Sequence, residues 1–373
     1  MDIRSIVKDY DPYVFLISVL LIIWSVINIY SASFHEFSNL YIKQIFFSLL
    51  SLLIILFIPR FVNYRKLLEL SFILYILGVL MLVFVKLFGT TVLGAKRWIN
   101  LGFFQLQPSE LMKLIIILTV AHFLSKIQLP ISFKNFLKLI GLIAVPFVLI
   151  KIQPDLGSAL LVLLPVLFMV FFAGFKSRYI LVFNLGILLL SPVIWNHLQD
   201  YQKSRIIAFL NPEEHSKESA YQIIQAVIAV GSGQVIGKGF LEGSQSKYYF
   251  LPEQHTDFIF ATIGEEWGFL VSSLLVLVYL FLSLRILYIG YGLSDMGGKF
   301  ICYGIGSLIG VQAFINISMN IGLLPVVGVP LPFLSYGGTA LISFSLLIAI
   351  YQNIYRVDRS ISFKLVSSEV QKY

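Results

Sequence analysis

Apolar runs of about 20 residues recur along nearly the whole chain, with only short polar stretches between them, and no other feature limits the fold so tightly. A helix crossing a hydrocarbon core about 30 Å thick needs roughly 17–25 such residues. By that measure the sequence predicts an all-α polytopic membrane protein with about ten transmembrane helices. The predicted spans are Tyr13–Tyr30, Ile42–Ile58, Leu67–Phe88, Pro108–Leu124, Phe136–Ile152, Leu156–Phe175, Tyr179–Trp195, Gly268–Ile289, Phe300–Ile321 and Phe333–Tyr355. Charged residues make up 12% of the chain, about half the usual share in soluble proteins of roughly 25%. The spans pack as one bundle, so residues 1–373 read as a single membrane domain. The first apolar run lacks a small-residue cleavage site and reads as a retained helix. The one cysteine, Cys302, lies inside an apolar run, which leaves no intramolecular disulfide.

The net charge of +8 is a matter of orientation and gives no nucleic-acid footprint. Lys and Arg cluster in alternate loops, at Arg60–Lys66, Lys126–Lys138, Lys176–Arg178 and around Arg356–Lys364. The positive-inside rule then puts these loops and both termini in the cytoplasm, with the chain in the cytoplasmic membrane. Lys96 and Arg97 fall on the opposite, outer side, where a basic pair reads as an anion site. One segment exceeds every other connection: Asn196 to Trp267, between the seventh and eighth spans, is a large extracytoplasmic loop. Connections beyond roughly 15 residues are usually functional or disordered. Its apolar stretch Tyr221–Val230 is too short to span and suits a surface or re-entrant helix.

Polar chemistry is confined to a few places. Leu251-Pro-Glu-Gln-His-Thr-Asp257 sets Glu253, His255 and Asp257 at alternate positions, just before Phe258-Ile259-Phe260. Thr256 and Asp257 are also helix-capping types, so the residues alone leave a cap and a functional carboxylate both open. A zinc site is weakly supported, because Pro252 and the following helix interrupt the strand that would align the three side chains. Loosely held Mg²⁺ or Mn²⁺ near the carboxylates stays open. Glu110 and Lys113, three residues apart in the fourth span, can pair on one helix face, and ionisable groups at that depth face the bundle interior or a wet cavity. Asp155 precedes the sixth span as a cap or a site carboxylate. Gly231-Ser-Gly-Gln-Val-Ile-Gly-Lys-Gly239 fails as a phosphate loop, since Ser232 and Gly239 stand where that motif needs glycine and a hydroxyl; it reads as a glycine turn. Pro325 to Gly338 holds too many prolines and glycines for regular helix and reads as broken backbone lining a cavity.

These outward motifs together resemble the SEDS family (shape, elongation, division and sporulation). The resemblance rests on Gly94-Ala-Lys-Arg-Trp-Ile-Asn-Leu-Gly102 with Gln107-Pro-Ser-Glu110, on Gln153-Pro-Asp-Leu-Gly157, on Leu251–Asp257, and on Pro330-Leu-Pro-Phe-Leu-Ser-Tyr-Gly-Gly338. It runs from the first span to the last, and Gly237–Gly239, Gly243–Gln245 and Val327–Pro330 look more like elongation members than division members. Gln234, Val235 and Ala226 depart from the usual pattern without touching the acidic centre. The resemblance implies a peptidoglycan glycosyltransferase that polymerises lipid II at the outer membrane face during cell elongation. It also implies a class B penicillin-binding protein as cross-linking partner, together with other elongation-complex membrane proteins. Asp257 falls on the family's catalytic carboxylate, and Glu110 and Lys113 on its paired charges. Arg97, Trp98, Arg205, Glu253, His255 and Lys96 are the supporting candidates for substrate binding.

The residues fit that chemistry independently. Pyrophosphate leaves readily if cations hold its charge, while a sugar hydroxyl attacks only once a base takes its proton. Asp257 can be that base; Lys96, Arg97, Lys113, Arg205, Lys238 and Lys247 can meet the anion, with Arg97, Lys113 and Arg205 foremost. The alternatives are a lipid II flippase, for which a cavity with Glu110 and Lys113 at depth would also serve, and a non-catalytic scaffold.

Overall fold

The computed structural model describes residues 8–34, 39–92, 95–102, 104–175, 192, 195–196, 198–211, 219–248 and 250–370. Eight described helices are long and apolar enough to cross a membrane. They are α1 (Pro12–Ser33), α2 (Leu40–Phe61), α3 (Tyr64–Phe88), α4 (Pro108–Ser125), α5 (Phe133–Ile152), α10 (Ile259–Gly292), α11 (Met296–Asn320) and α12 (Gly338–Val370). The shorter apolar helix α6 (Leu156–Phe172) is the sixth predicted span. The seventh, Tyr179–Trp195, lies almost wholly outside the described residues. Between α3 and α4 stand three short antiparallel strands that the all-α expectation did not include: β1 (Thr90–Val92), β2 (Ala95–Asn100) and β3 (Gln105–Leu106). The large loop carries α7 (Asp200–Leu210), α8 (Ser219–Ser232) and α9 (Ser244–Lys247).

Burial identifies the centre of the bundle. In α4 and α11 72% of the most apolar window is buried, against 28% in α2, α3 and α5. The outer helices turn Leu49, Leu53, Phe72, Ile73, Leu80 and Phe84 outward, an arrangement that lipid tolerates and water does not. Asp11 caps α1 through Tyr13 and Val14 N–H, and its carboxylate also pairs with Arg285 Nε at 2.9 Å and accepts from the Tyr351 hydroxyl at 2.7 Å. At the other end of α1, the Ser31 hydroxyl bonds Glu266, near the start of α10. The two helices therefore run antiparallel, and the turn before α10 sits at the end of the bundle opposite Asp11.

The eighth span begins at Ile259, nine residues before the expected Gly268, and the large loop is correspondingly shorter. In the sequence Glu265, Glu266 and Trp267 interrupt the apolar run ahead of Gly268, but in the fold their polar atoms are buried within the helix packing. Gly268 instead kinks the helix, at φ 75° and ψ −173°. A kink strands backbone groups that lipid cannot satisfy. Here the glycine turn satisfies them: Lys238 and Gly239 N–H donate to the Glu265 and Glu266 carbonyls, and Phe269 and Leu270 N–H donate to the Gln234 and Val235 carbonyls, at 2.8–3.2 Å. A side chain at Gly268 would begin 2.2 Å from Gly237 N, so the exchange requires glycine there. The last span starts at Gly338, five residues later than expected, because Phe333–Gly337 is irregular.

Candidate active site

Asp257 is the next-to-last residue in a run of turns, residues 252–258, and is half-buried. It does not cap α10: Phe258 holds the N-cap position, with no side-chain cap bond. That removes the capping role the sequence had left open. The turn is bound into the Pro325–Gly338 segment from two sides. Ser335 Oγ donates to the Thr256 carbonyl at 2.6 Å, and Tyr336 N–H to the His255 carbonyl at 2.8 Å. From α11, Asn316 Nδ2 and Asn320 Nδ2 donate to the Asp257 carbonyl at 2.9 and 3.0 Å. A small apolar cluster of Ile223, Ala226 and Ala229 from α8 with Leu251, Phe258 and Val326 floors the turn. The expected short helix is thus α8, packed beneath the site.

Arg205, on α7, donates from Nη1 to the Val326 carbonyl at 3.1 Å. A side chain added at Gly328 (φ +70°) would start 3.5 Å from Asp257 Oδ2 and 4.0 Å from Arg205 Nη1. The carboxylate and the guanidinium therefore both stand beside the same point at Gly328, and its positive φ is what favours glycine there. Arg97 on β2 forms an ion pair with Asp155 at 3.5 Å, and Gln107 Nε2 donates to the same carboxylate oxygen at 3.2 Å. The other Asp155 oxygen caps α6 through Ser158 N–H, so this residue both caps a helix and holds Arg97. Burial raises the Asp257 pKa to about 6, and the Glu253 carboxylate adds to that; Arg205 and then Arg97 pull it back, and Asp155 pushes it up slightly.

The remaining candidates divide. Glu253, itself at φ 54°, accepts from the Thr256 hydroxyl at 2.9 Å and so stiffens the turn. The His255 ring lies edge-on to Tyr336. Trp98 sits on β2 beside Arg97, paired with Thr90 across the ribbon. Lys96 is turned away: its ammonium donates to the Leu87 carbonyl at the end of α3. Lys113 forms the expected pair with Glu110, at 2.8 Å, but it is 1% exposed and also bonds Gln312. It cannot meet an anion directly, and its charge is used within the protein. Lys238 is likewise committed, to buried Glu265 at 2.6 Å, where Ser244 Oγ and Gln245 N–H complete a cradle. The glycine turn that resembles a phosphate loop thus wraps a carboxylate of its own chain. Lys247 lies exposed on α9. Of the six cations, Arg97 and Arg205 stand around Asp257. Among the described residues no three His, Cys, Asp or Glu side chains converge as a metal site.

Sequence reading passed over Gln312, Asn316 and Asn320, all fully buried in α11. Their signal was available: three amides at four-residue spacing within an apolar helix, where each must find a partner.

Residues 12–360 match the family described as cell cycle protein, FtsW/RodA/SpoVE. The chain is 38% identical to the peptidoglycan glycosyltransferase MrdB of Escherichia coli K12, covering 94% of this chain and 96% of that protein. It is 36% identical to the probable peptidoglycan glycosyltransferase FtsW of Geobacter sulfurreducens, over 93% and 95%. Among solved structures it resembles a chain from a peptidoglycan synthase complex that coordinates polymerization and crosslinking, with TM-score 0.81, 27% identity and coverage of 94% and 98%. It also resembles the rod shape determining protein RodA of Thermus thermophilus, with TM-score 0.70, 26% identity and coverage of 94% and 97%.

Proposed function

The chain belongs to the FtsW/RodA/SpoVE family of cell cycle proteins, and we propose that it polymerises lipid II with Asp257 as the general base. It is a peptidoglycan glycosyltransferase of the elongation type. The observation that carries the assignment of Asp257 is that its carboxylate and the Arg205 guanidinium lie 3.5 and 4.0 Å from one point beside Gly328. An acceptor sugar hydroxyl placed there gives its proton to Asp257, and its oxygen forms the new glycosidic bond at the donor's anomeric carbon. The anomeric carbon–pyrophosphate bond breaks, and the leaving oxygen's charge is met by Arg205 and Arg97. The step is one inverting displacement, with no covalent enzyme intermediate.

The related chain solved within a synthase complex supports a cross-linking partner here too, a class B penicillin-binding protein. The flippase reading is separated from this one by purified protein with lipid II in detergent, where there is no bilayer to cross. Glycan polymer is expected; its absence even with the partner present would favour transport.

The reading also requires the Asp257 end to face outward. Arg60, Arg65, Arg285 and Arg356 gather at the Asp11 end, with Arg356 Nη1 bound to the Pro59 carbonyl and Arg65 against Tyr64, which supports a cytoplasmic Asp11 end by the positive-inside rule. A reporter inserted between Leu210 and Ser219 should therefore work only outside the cytoplasm. Cytoplasmic activity from that insertion would reverse the orientation.

A further inference from the structure

We infer that Gln312, Asn316 and Asn320 form a positioning ladder that links the buried Glu110–Lys113 pair to the turn carrying Asp257 and fixes where that carboxylate stands relative to Arg205. The inference rests on the reading of Asp257 as the base. Four-residue spacing puts the three amides on one face of α11. At the inner rung Lys113 Nζ donates to Gln312 Oε1 at 3.0 Å, and Gln312 Nε2 donates to the Pro330 carbonyl at 2.8 Å. At the middle rung Asn316 Nδ2 reaches two carbonyls, Val329 at 2.7 Å and Asp257 at 2.9 Å. At the outer rung Asn320 Nδ2 donates to the Asp257 carbonyl at 3.0 Å, and Asn320 Oδ1 accepts from Ala261 N–H at 2.9 Å.

The three carbonyls contacted outside α11, those of Asp257, Val329 and Pro330, lie in irregular backbone, where neither a strand nor a helix supplies the partner. Buried carbonyls of this kind need a donor from elsewhere. Satisfaction alone would not require one side chain to serve both segments, yet Asn316 bridges them. Arg205 is anchored to Val326 on one segment, while Asp257 lies in the other. Ser335 and Tyr336 join the same two segments through the Thr256 and His255 carbonyls, but Asn316 is the side chain that joins them at Val329 and Asp257 themselves, and so it bears most directly on the separation of base and cation. A misplacement of about 1 Å costs on the order of 100-fold in rate. The charged groups facing Asp257 are Glu253 in its own turn, Arg205 on α7, Arg97 on β2 and Asp155 at the head of α6. Releasing the two segments weakens mainly the Arg205 contribution.

The test is lipid II polymerisation by purified Asn316→Leu, run in detergent beside the parent and Asp257→Asn, with kcat, KM and their pH dependence measured. The ladder predicts a kcat loss on the order of 10- to 100-fold, an unchanged KM, and an acid limb of kcat displaced upward. Gln312→Leu, which leaves both contacts to Asp257 in place, should show the same split with a smaller loss; it also serves if Asn316→Leu does not fold. Parental kcat in both variants, or a lower kcat with the acid limb unmoved, would overturn the ladder, because a purely structural role scales the active fraction without moving the limb. An inactive Asp257→Asn beside parental ladder variants sinks the ladder alone, whereas an active Asp257→Asn sinks the base assignment beneath it.

Discussion

Asp257→Asn is expected to yield a folded, membrane-inserted protein that still co-purifies with its partner and makes almost no glycan. Asparagine keeps the shape of the side chain, and the contacts that hold the turn use the Asp257, Thr256 and His255 carbonyls, which the substitution leaves alone. The amide cannot accept the acceptor's proton. Removing a general base costs about 100- to 10,000-fold in rate, whereas losing a helix cap costs about 0.5–2 kcal/mol of stability. Since Phe258 is the N-cap residue, even that small stability loss is not expected, and the melting temperature should stay near the parent's. Glu253→Gln should be milder, because Thr256 can still donate to the remaining amide oxygen. Near-parental polymerisation by Asp257→Asn would remove the residue from the chemistry.

Lys113→Ala should lose both stability and activity. Lys113 and Glu110 are 1% and 2% exposed, and the ammonium has the carboxylate at 2.8 Å and Gln312 at 3.0 Å. Deleting one member of a buried pair leaves the other charge uncompensated and costs about 3–5 kcal/mol. It also removes the inner rung from Gln312, so polymerisation should fall further than the loss of folded protein explains. Glu110→Ala leaves the ammonium with Gln312 and the Phe344 ring, 5.3 Å away, and should destabilise comparably. Thermal unfolding in detergent decides the matter: parental melting in both single variants would mean that the pair is solvated.

Much of this was legible in the sequence, for specific reasons. Span length and hydropathy gave the helices, since lipid imposes one length on all of them. Pro325–Gly338 read as broken backbone because proline and glycine forbid helix there, and the chain is irregular up to Gly338. The Glu110–Lys113 pair followed from its spacing. What escaped was tertiary. A window average cannot see that Glu265 and Glu266 turn inward within a helix, the first of them into a cradle built by Lys238, Ser244 and Gln245. Nor does counting outward cations reveal that Lys96, Lys113 and Lys238 are each already bonded to the protein. Among the described residues Arg97 and Arg205 are the cations that stand near the carboxylate, themselves held by Asp155 and the Val326 carbonyl. The amides of α11 were hidden because their partners are main-chain carbonyls far away in sequence.

That Asp257 takes the proton is tested most directly by the pH dependence of kcat for lipid II polymerisation. A general base works only when ionised. Burial and Glu253 raise this carboxylate to about 6, so the rate should fall as pH drops through about 6, well above the ordinary aspartate range near 3.9. Arg205→Gln removes a cation that favours the charged form and should move the limb upward. Glu253→Gln removes a repelling charge and should move it downward. A limb that stays in place in both variants, or one near the ordinary aspartate value in the parent, would contradict the assignment.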